Sequence, residues 1–347
     1  GGAFSTRFLR TELDMRRFSL STVAVLSFAA MFCMPGFAAA EPLTLRLGHT
    51  GYPGIAFTYG YEKFKEILER NSGGGIRVHL YPNGVLGSDR VLTESCQLGC
   101  LEIAMCGSSN LGNFIPTAAA FDLPFLLNPD KHDQYLAAFG DGPIAAYLDK
   151  KAAEVGLKLI MSMDSAYRGY ATARKPLDDV ESLKGVKMRT TASAVDMATA
   201  EALGMNPTPI AYSDVFTALQ QGTVDGELLG YDALHNSGRW EVDKFFLQTD
   251  HNHTVIFAFM NRKFWDGLSK EEQRLILEAA REAERLEYAY NRDVVRRGEE
   301  FVRGKNVTIH KLSPEERERM KRMTASIYDR FDSIDPELLR LIRETQK

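Results

Sequence analysis

Beyond residue 42 the chain alternates between two hydrophobic periods. Leu43-Thr-Leu-Arg-Leu-Gly48 switches apolar and polar positions residue by residue, which predicts a strand, and the run stops at the turn-rich His49-Thr-Gly-Tyr-Pro-Gly54. Residues 59–70 change to helical spacing, with Tyr61, Phe64, Ile67 and Leu68 on one face, until Gly73-Gly-Gly75 breaks the pattern. Ile76-Arg-Val-His-Leu80 alternates again, residues 90–98 read as a helix, and residues 101–106 form a short apolar strand. This β-α-β-α-β order predicts a parallel sheet with helices on both faces. Ligands of such sheets bind beyond the strands' carboxyl ends, here His49, Pro82 and Gly107.

Further along, the periodicity predicts helices at 132–139 and 144–155, an apolar strand at 157–163 and another strand at 186–189. Helices follow at 194–203 and at 213–221, the second closed by Gly222. Residues 224–229 read as a strand, and the long apolar strand 253–260 as a crossing between domains. Ser269-Lys-Glu-Glu272 is a capping box, followed by Leu275, Ile276, Ala279, Ala280, Ala283 and Leu286 on one face. That pattern runs to about Arg303, long enough to bridge two domains. Ser313-Pro-Glu-Glu316 is a second capping box with proline at the first helical position. With no repeat or flexible linker, two domains here imply a chain that crosses between them more than once.

Residues 1–40 change the picture. Met15-Arg16-Arg17 is a basic start, residues 18–34 are almost uncharged and apolar, and Ala38-Ala39-Ala40 offers small-residue cleavage positions. This is the pattern of a secretory signal peptide cleaved near Ala40, and the fourteen residues before Met15 read as upstream sequence. The run is short for a membrane span and ends in Pro35-Gly36, so an exported, soluble mature protein is expected. The segment carries four arginines against two acids, so its loss deepens the formal net charge of −4. With 42 basic and 46 acidic residues there is no basic excess for a nucleic-acid surface. A length of 347 residues suggests about two domains. Cys96, Cys100 and Cys106 remain, an odd number, and are expected to be small buried thiols with at most one disulfide.

Common enzyme signatures are missing: no HExxH, no GxSxG, no Walker A loop. Gly140-Asp-Gly142-Pro-Ile-Ala145 matches a dinucleotide fingerprint only formally, because it follows a helical segment and contains Pro143. His251 and His253 share a strand face without a third ligand nearby, so a structural role is expected, with neither metal nor cofactor. Arg189 is more informative. It ends the strand 186–189, and Thr190, Thr191 and Ser193 follow as candidate caps of the next helix. A guanidinium fork beside free backbone N–H groups suits a carboxylate; the competing reading is a surface ion pair. Arg168, between Tyr167 and Tyr170, is a weaker instance of the same case.

Tyr81-Pro-Asn-Gly-Val-Leu-Gly87, Gln97-Leu-Gly99, Phe121-Asp-Leu-Pro-Phe125, Lys184-Gly-Val-Lys-Met-Arg189, Asn206-Pro-Thr-Pro209, Ser213-Asp-Val-Phe-Thr-Ala-Leu-Gln220, Val224-Asp-Gly226 and Phe264-Trp265 stand in one order. Together they resemble the signature stretches of DctP-type solute-binding proteins of tripartite ATP-independent periplasmic (TRAP) transporters, over roughly residues 43–330. The resemblance implies an α/β, two-domain periplasmic binding protein fold (type II-like), with hinge strands between the domains and a long C-terminal helix spanning both. Domain I would comprise 43–165 with 255–293, and domain II 166–254 with 294–347. Arg189 matches the arginine that clamps the ligand carboxylate in the family, and Arg168 a second arginine of the site. Where many relatives carry an asparagine after Val-Asp-Gly-Gln-Glu, this chain has Leu229, which resembles the subgroup with Leu-Leu-Pro-Trp-Glu. Tyr212, Tyr231 and Asp232 would then face the ligand, and an aromatic wall with one carboxylate suits an organic acid with an apolar body. Ser108 and Asn110, after the third strand, are candidate polar contacts. His49 either donates to the ligand or orders its loop.

The resulting expectation is a periplasmic, monomeric binding protein without cofactor. It would capture a small-molecule carboxylate and deliver it to a permease of one small and one large integral membrane subunit. Two alternatives stay open: an exported enzyme acting on organic acids through His49, Asp89, Asp232 or Cys106, and a ligand-sensing partner of a membrane receptor.

Overall fold

The structure, a computed structural model, describes residues 41–347; the targeting segment read in the sequence lies outside them. Among the described residues eleven strands form two sheets. The first holds β1 (Leu43–Gly48), β2 (Ile76–Tyr81), β3 (Ile103–Gly107), β4 (Leu157–Met163) and β10 (Ile256–Asn261), in the order β2-β1-β3-β10-β4. The second holds β5 (Gly169–Thr172), β6 (Lys187–Thr190), β7 (Asn206–Pro209), β8 (Gly226–Leu229), β9 (Phe245–Gln248) and β11 (Thr308–Lys311), in the order β11-β9-β5-β8-β6-β7.

The first three strands pair in parallel, as their alternation and helical crossovers require. The first sheet as a whole is mixed, because β10 inserts antiparallel between β3 and β4. All six residues of β10 are buried, which explains its unbroken apolar run: both faces of the strand lie in core. One cluster, with Leu92, Phe121, Leu148 and Phe257, packs on one face of this sheet, and a second, with Leu45, Phe64, Met161 and Ala283, on the other.

The chain passes between sheets twice in extended form, at 164–168 and at 249–255, and Tyr167 bridges His253 antiparallel, so the two crossovers run side by side. The third connection is the helix Lys270–Arg303. Its 34 residues are about 51 Å long at the α-helical rise, enough to underlie both lobes. It packs on the helix Ala56–Asn71 and on β4 of the first lobe, and on the helix Tyr231–Asn236 of the second. The capping box read at Ser269 is formed: Ser269 accepts from the Glu272 N–H, and Glu272 accepts from the Ser269 N–H. At its end the chain returns to the first lobe. The helix Pro336–Glu344 packs on Pro143–Glu154, and Leu338 and Ile342 enter the core beside Leu148 and Leu157. The sequence-based assignment of 294–347 to the second lobe did not include this return.

Four strands escaped the periodicity. β7 is Asn206-Pro-Thr-Pro209, an edge strand whose two prolines cannot donate to a ladder; β5, β9 and β11 are four residues each, too short to establish a period. The helix expected at 132–139 ends at Leu136. The cysteine expectation is corrected at one position, Cys100. All three thiols are free, and Cys100 is exposed while Cys96 and Cys106 are buried.

Gly298 sits mid-helix in Lys270–Arg303, where alanine would gain about 1 kcal/mol in helix propensity. A Cβ there, however, would stand 2.7 Å from the Tyr231 carbonyl oxygen and 3.0 Å from its carbon, which are backbone and cannot rotate away. The clash outweighs the propensity, so Gly298→Ala is expected to lower stability by about 1–3 kcal/mol, read as a fall in the denaturation midpoint. A rise would show that the two elements slide apart freely.

Candidate functional site

The carboxyl ends of both sheets face a cleft between the lobes, with about 720 Å³ of empty space including its open mouth. At its rim the lobes touch. The rings of Tyr52 and Tyr212 stand 5.8 Å apart, and Asn113 Nδ2 donates to the Ala192 carbonyl at 3.3 Å.

Arg189 reaches the cleft from β6, beside the helix Ala194–Ala202, which Ser193 caps by accepting from the Asp196 N–H at 3.2 Å. It is only 4% exposed, and its Nε donates to the Ile210 carbonyl at 2.9 Å. No carboxylate lies within ion-pair distance of its guanidinium among the described residues. Glu227, its neighbour on β8, is taken by Arg239 at 2.8 Å. Burial, and then repulsion from Arg239 and Arg168, holds the Arg189 pKa below the ordinary arginine value despite the pull of Glu227. An arginine cannot escape by deprotonating. Holding a buried cation without an anion costs several kcal/mol, and the remedy is an anion.

Arg168 is built differently. It leaves the first crossover into the floor of the cleft, and four of its five N–H bonds are engaged. Nε donates to Asn252 Oδ1 at 2.9 Å, Nη1 to Asp196 Oδ2 at 3.0 Å, and Nη2 to Asp122 Oδ1 at 3.0 Å and to Asp196 Oδ1 at 3.1 Å. Asp122 belongs to the first lobe and Asp196 to the second, so this side chain ties the lobes together. Burial, then the charge of Asp196, raises the Asp122 carboxyl to about 7 even beside Arg168.

Asp232 lines the cleft from the first turn of Tyr231–Asn236, 4% exposed, with no cation in ion-pair reach among the described residues. Burial raises its carboxyl to about 6, against the pull of the Ala233 N–H. Asn110 and Tyr212 also line the cleft. Asn110 Nδ2 donates to Asp89 Oδ2 at 3.0 Å, and Arg239 lies 5.3 Å over the Tyr212 ring.

Three residues expected at the site lie outside the lining. His49 is buried against Tyr61 at 5.0 Å, and its Nδ1 accepts from the Gly51 N–H at 3.3 Å; of its two readings, ordering the loop is the one the contacts match. Burial lowers its pKa to about 4, so it is neutral. Tyr231 turns into the core on Phe246 at 4.9 Å and donates to Gln248 Oε1 at 3.0 Å, because the helix start that aims Asp232 at the cleft aims its neighbour away. Ser108 extends the β3–β10 pairing, its N–H donating to the Val255 carbonyl at 2.8 Å, while Ser109 takes the cleft position. Reasoning from sequence missed Thr50, Thr191 and the apolar lining of Phe57, Met105 and Ile256, and gave Asp89 only an enzymatic role. Asp89 did carry a signal: it opens the helix after a strand's carboxyl end.

Among the described residues one group of side chains is close enough to share an ion: His132, Asp164 and His253, within 4.8 Å of one another at the crossovers. Both imidazole Nε2 atoms contact Asp164, at 3.1 and 2.8 Å, and Asn291 Nδ2 donates to it at 2.9 Å. A metal would displace both shared protons onto Nδ1 atoms that have no buried acceptor, the reverse of usual histidine ligation. The group is a hydrogen-bonded clasp. Burial raises the Asp164 carboxyl, but the bonds from His132 and His253 prevail and hold it well below the usual carboxylate range.

Residues 47–334 match the family described as bacterial extracellular solute-binding protein, family 7 (DctP). The chain belongs to this family. A solute-binding protein of Verminephrobacter eiseniae is 30% identical over 275 residues, 78% of this chain and 80% of its own length. The sugar acid binding protein DctPAm of Advenella mimigardefordensis, solved with galactonate, superposes with a TM-score of 0.83 at 25% identity, covering 88% of this chain and 99% of that one. A TRAP periplasmic solute binding protein of Sulfurospirillum deleyianum, solved with succinate, gives 0.80 at 25% identity over 87% and 99%. The family is one of binding proteins rather than enzymes. Of the residues weighed for catalysis, the Cys106 thiol is buried and pushed far above its ordinary pKa, so it offers no thiolate.

In this DctP protein the two arginines should separate by stability. Arg168→Met leaves Asp122 and Asp196 buried without their cation and is expected to cost about 3–5 kcal/mol in chemical denaturation. A cost below about 1 kcal/mol would show that the three-way pairing does not hold the lobes.

Proposed function

We propose that this protein captures a small organic acid between its lobes and delivers it to the membrane permease of a TRAP transporter, and that it acts in the periplasm as a monomer after cleavage near Ala40. Arg189 binds the ligand carboxylate as a bidentate fork. Arg168 contributes its remaining N–H and holds the lobes, and Tyr212, Asn110 and Asp232 surround the ligand's body. Tyr231, Ser108 and His49 support this wall from behind. Capture and release are the whole activity, with no bond made or broken. The observation that carries the reading is the buried, unpaired guanidinium of Arg189 in the cleft between the lobes. Its planar fork matches a carboxylate in shape and charge. The crossovers at 164–168 and 249–255 serve as the hinge, and a ligand touching both lobes biases it toward closure.

The test is a thermal-shift screen of refolded, ligand-stripped protein against organic acids. A ligand at 100 times its Kd adds about 2.7 kcal/mol, a shift of a few degrees. Arg189→Met should abolish that shift, weakening affinity by about 100-fold or more through two charge-assisted hydrogen bonds of roughly 1.5–3 kcal/mol each. The unliganded variant should melt no lower than the native chain, since an unpaired buried charge has been removed. Retained affinity would refute the anchor; a silent panel of acids would refute the ligand class.

A further inference from the structure

The charges in the cleft do not balance in the way a diacid would need. Arg189 is a guanidinium without a carboxylate. Asp89 and Asp232 are carboxylates without a cation among the described residues. Asp89 takes only neutral donors: Thr50 Oγ1 at 3.2 Å, the Gly107 N–H at 2.9 Å and Asn110 Nδ2 at 3.0 Å. The other nearby cations are committed, Arg168 to Asp122 and Asp196, and Arg239 to Glu227. We propose, resting on the acid reading above, that the ligand is a monocarboxylate whose far end carries hydrogen-bond donors, hydroxyl or ammonium, and that Asp232, with Asp89 lining the same cleft from the other lobe, rejects a second carboxylate.

An ionised carboxylate only accepts hydrogen bonds, so a donor on the ligand satisfies Asp232 and a second carboxylate cannot. Burial raises the Asp232 carboxyl to about 6, which leaves it ionised at pH 7.5. Once a first carboxylate neutralises Arg189, a second would be enclosed with two like charges and no counter-cation, where weak screening makes repulsion strong. Leu228, Leu229, Phe57 and Ile256 also line the cleft, so part of the carbon skeleton rests on apolar side chains. Asp232 is thus a specificity residue that acts by exclusion.

Matched ligands differing only at the far end test this by calorimetry on the full chain at pH 7.5: galactonate against galactarate, and 4-hydroxybutyrate and 4-aminobutyrate against succinate. The monocarboxylate of whichever set binds should be at least tenfold tighter than its diacid, and the hydroxy and amino arms identify the donor. Asp232→Asn keeps the shape, orphans no cation and should bring the ratio within threefold, mainly by tightening the diacid. A diacid that binds the native chain as tightly as its partner overturns the proposal, with no variant needed. A large ratio that Asp232→Asn leaves unchanged overturns the role of Asp232. If Arg189→Met abolishes binding while the native ratio is near one, only this inference fails. If that variant binds the same acids normally, or no set binds at all, the acid reading fails and this inference with it.

Discussion

Arg189 is a cation buried where nothing in the protein answers it. Glu227, paired with Arg239, and Asp122 and Asp196, paired with Arg168, form no ion pair with it, and the Ile210 carbonyl accepts the one N–H that Arg189 does give up. Such a group lowers the stability of the empty protein, and the two cores that flank the first sheet must carry that cost. The same cost is what makes an anion bind well. A carboxylate in the cleft relieves a penalty already present, so its affinity owes less to contact area than to the charge it neutralises.

The two arginines divide two tasks that a single one could not combine. Arg168 spends four of its five N–H bonds on the protein, and its partners come from both lobes and from the second crossover, so it fixes where the floor of the cleft lies. Arg189 is left with a free fork, and that fork keeps its aim because β6 is paired on both sides, to β7 and to β8. An anchor that also held the lobes together would have to break protein contacts to accept a ligand. Separating the roles lets the ligand add a contact without removing one, and a ligand can shift a hinge only by such differential contacts.

Much of this was legible in the sequence because it depends on local order. The parallel start of the first sheet, the long helix from its capping box and the placement of Arg189 between a strand end and a capped helix all follow from spacing within a dozen residues. Leu229 likewise announced an apolar contact where a polar one is common, and it lines the cleft. What was not legible depends on pairing over distance or on a single residue of phase. Nothing in the sequence joins Arg168 to Asp122 and Asp196, 46 and 28 residues away. Ser108 and Ser109 are adjacent serines at a strand end, and one residue of phase decides which faces the ligand. Tyr231 and Asp232 pose the same choice at a helix start, and the aromatic side was the one buried in core.

The hinge raises the question of why a crossing between two apolar cores should be polar. Asp164, His253 and Asn291 are all buried there, with His132 closing the group from the first lobe. Two extended segments side by side offer little surface to pack, and apolar contacts alone would let them slip in register. A carboxylate that accepts from two imidazoles, an amide and the Ser165 N–H defines one register, because any slip would strand a buried charge. Such bonds still allow small rotations, since side-chain donors can follow an acceptor through a few degrees. The clasp therefore sets the axis about which the lobes turn, while the cleft, where Arg189 has no partner of its own, decides how far they close.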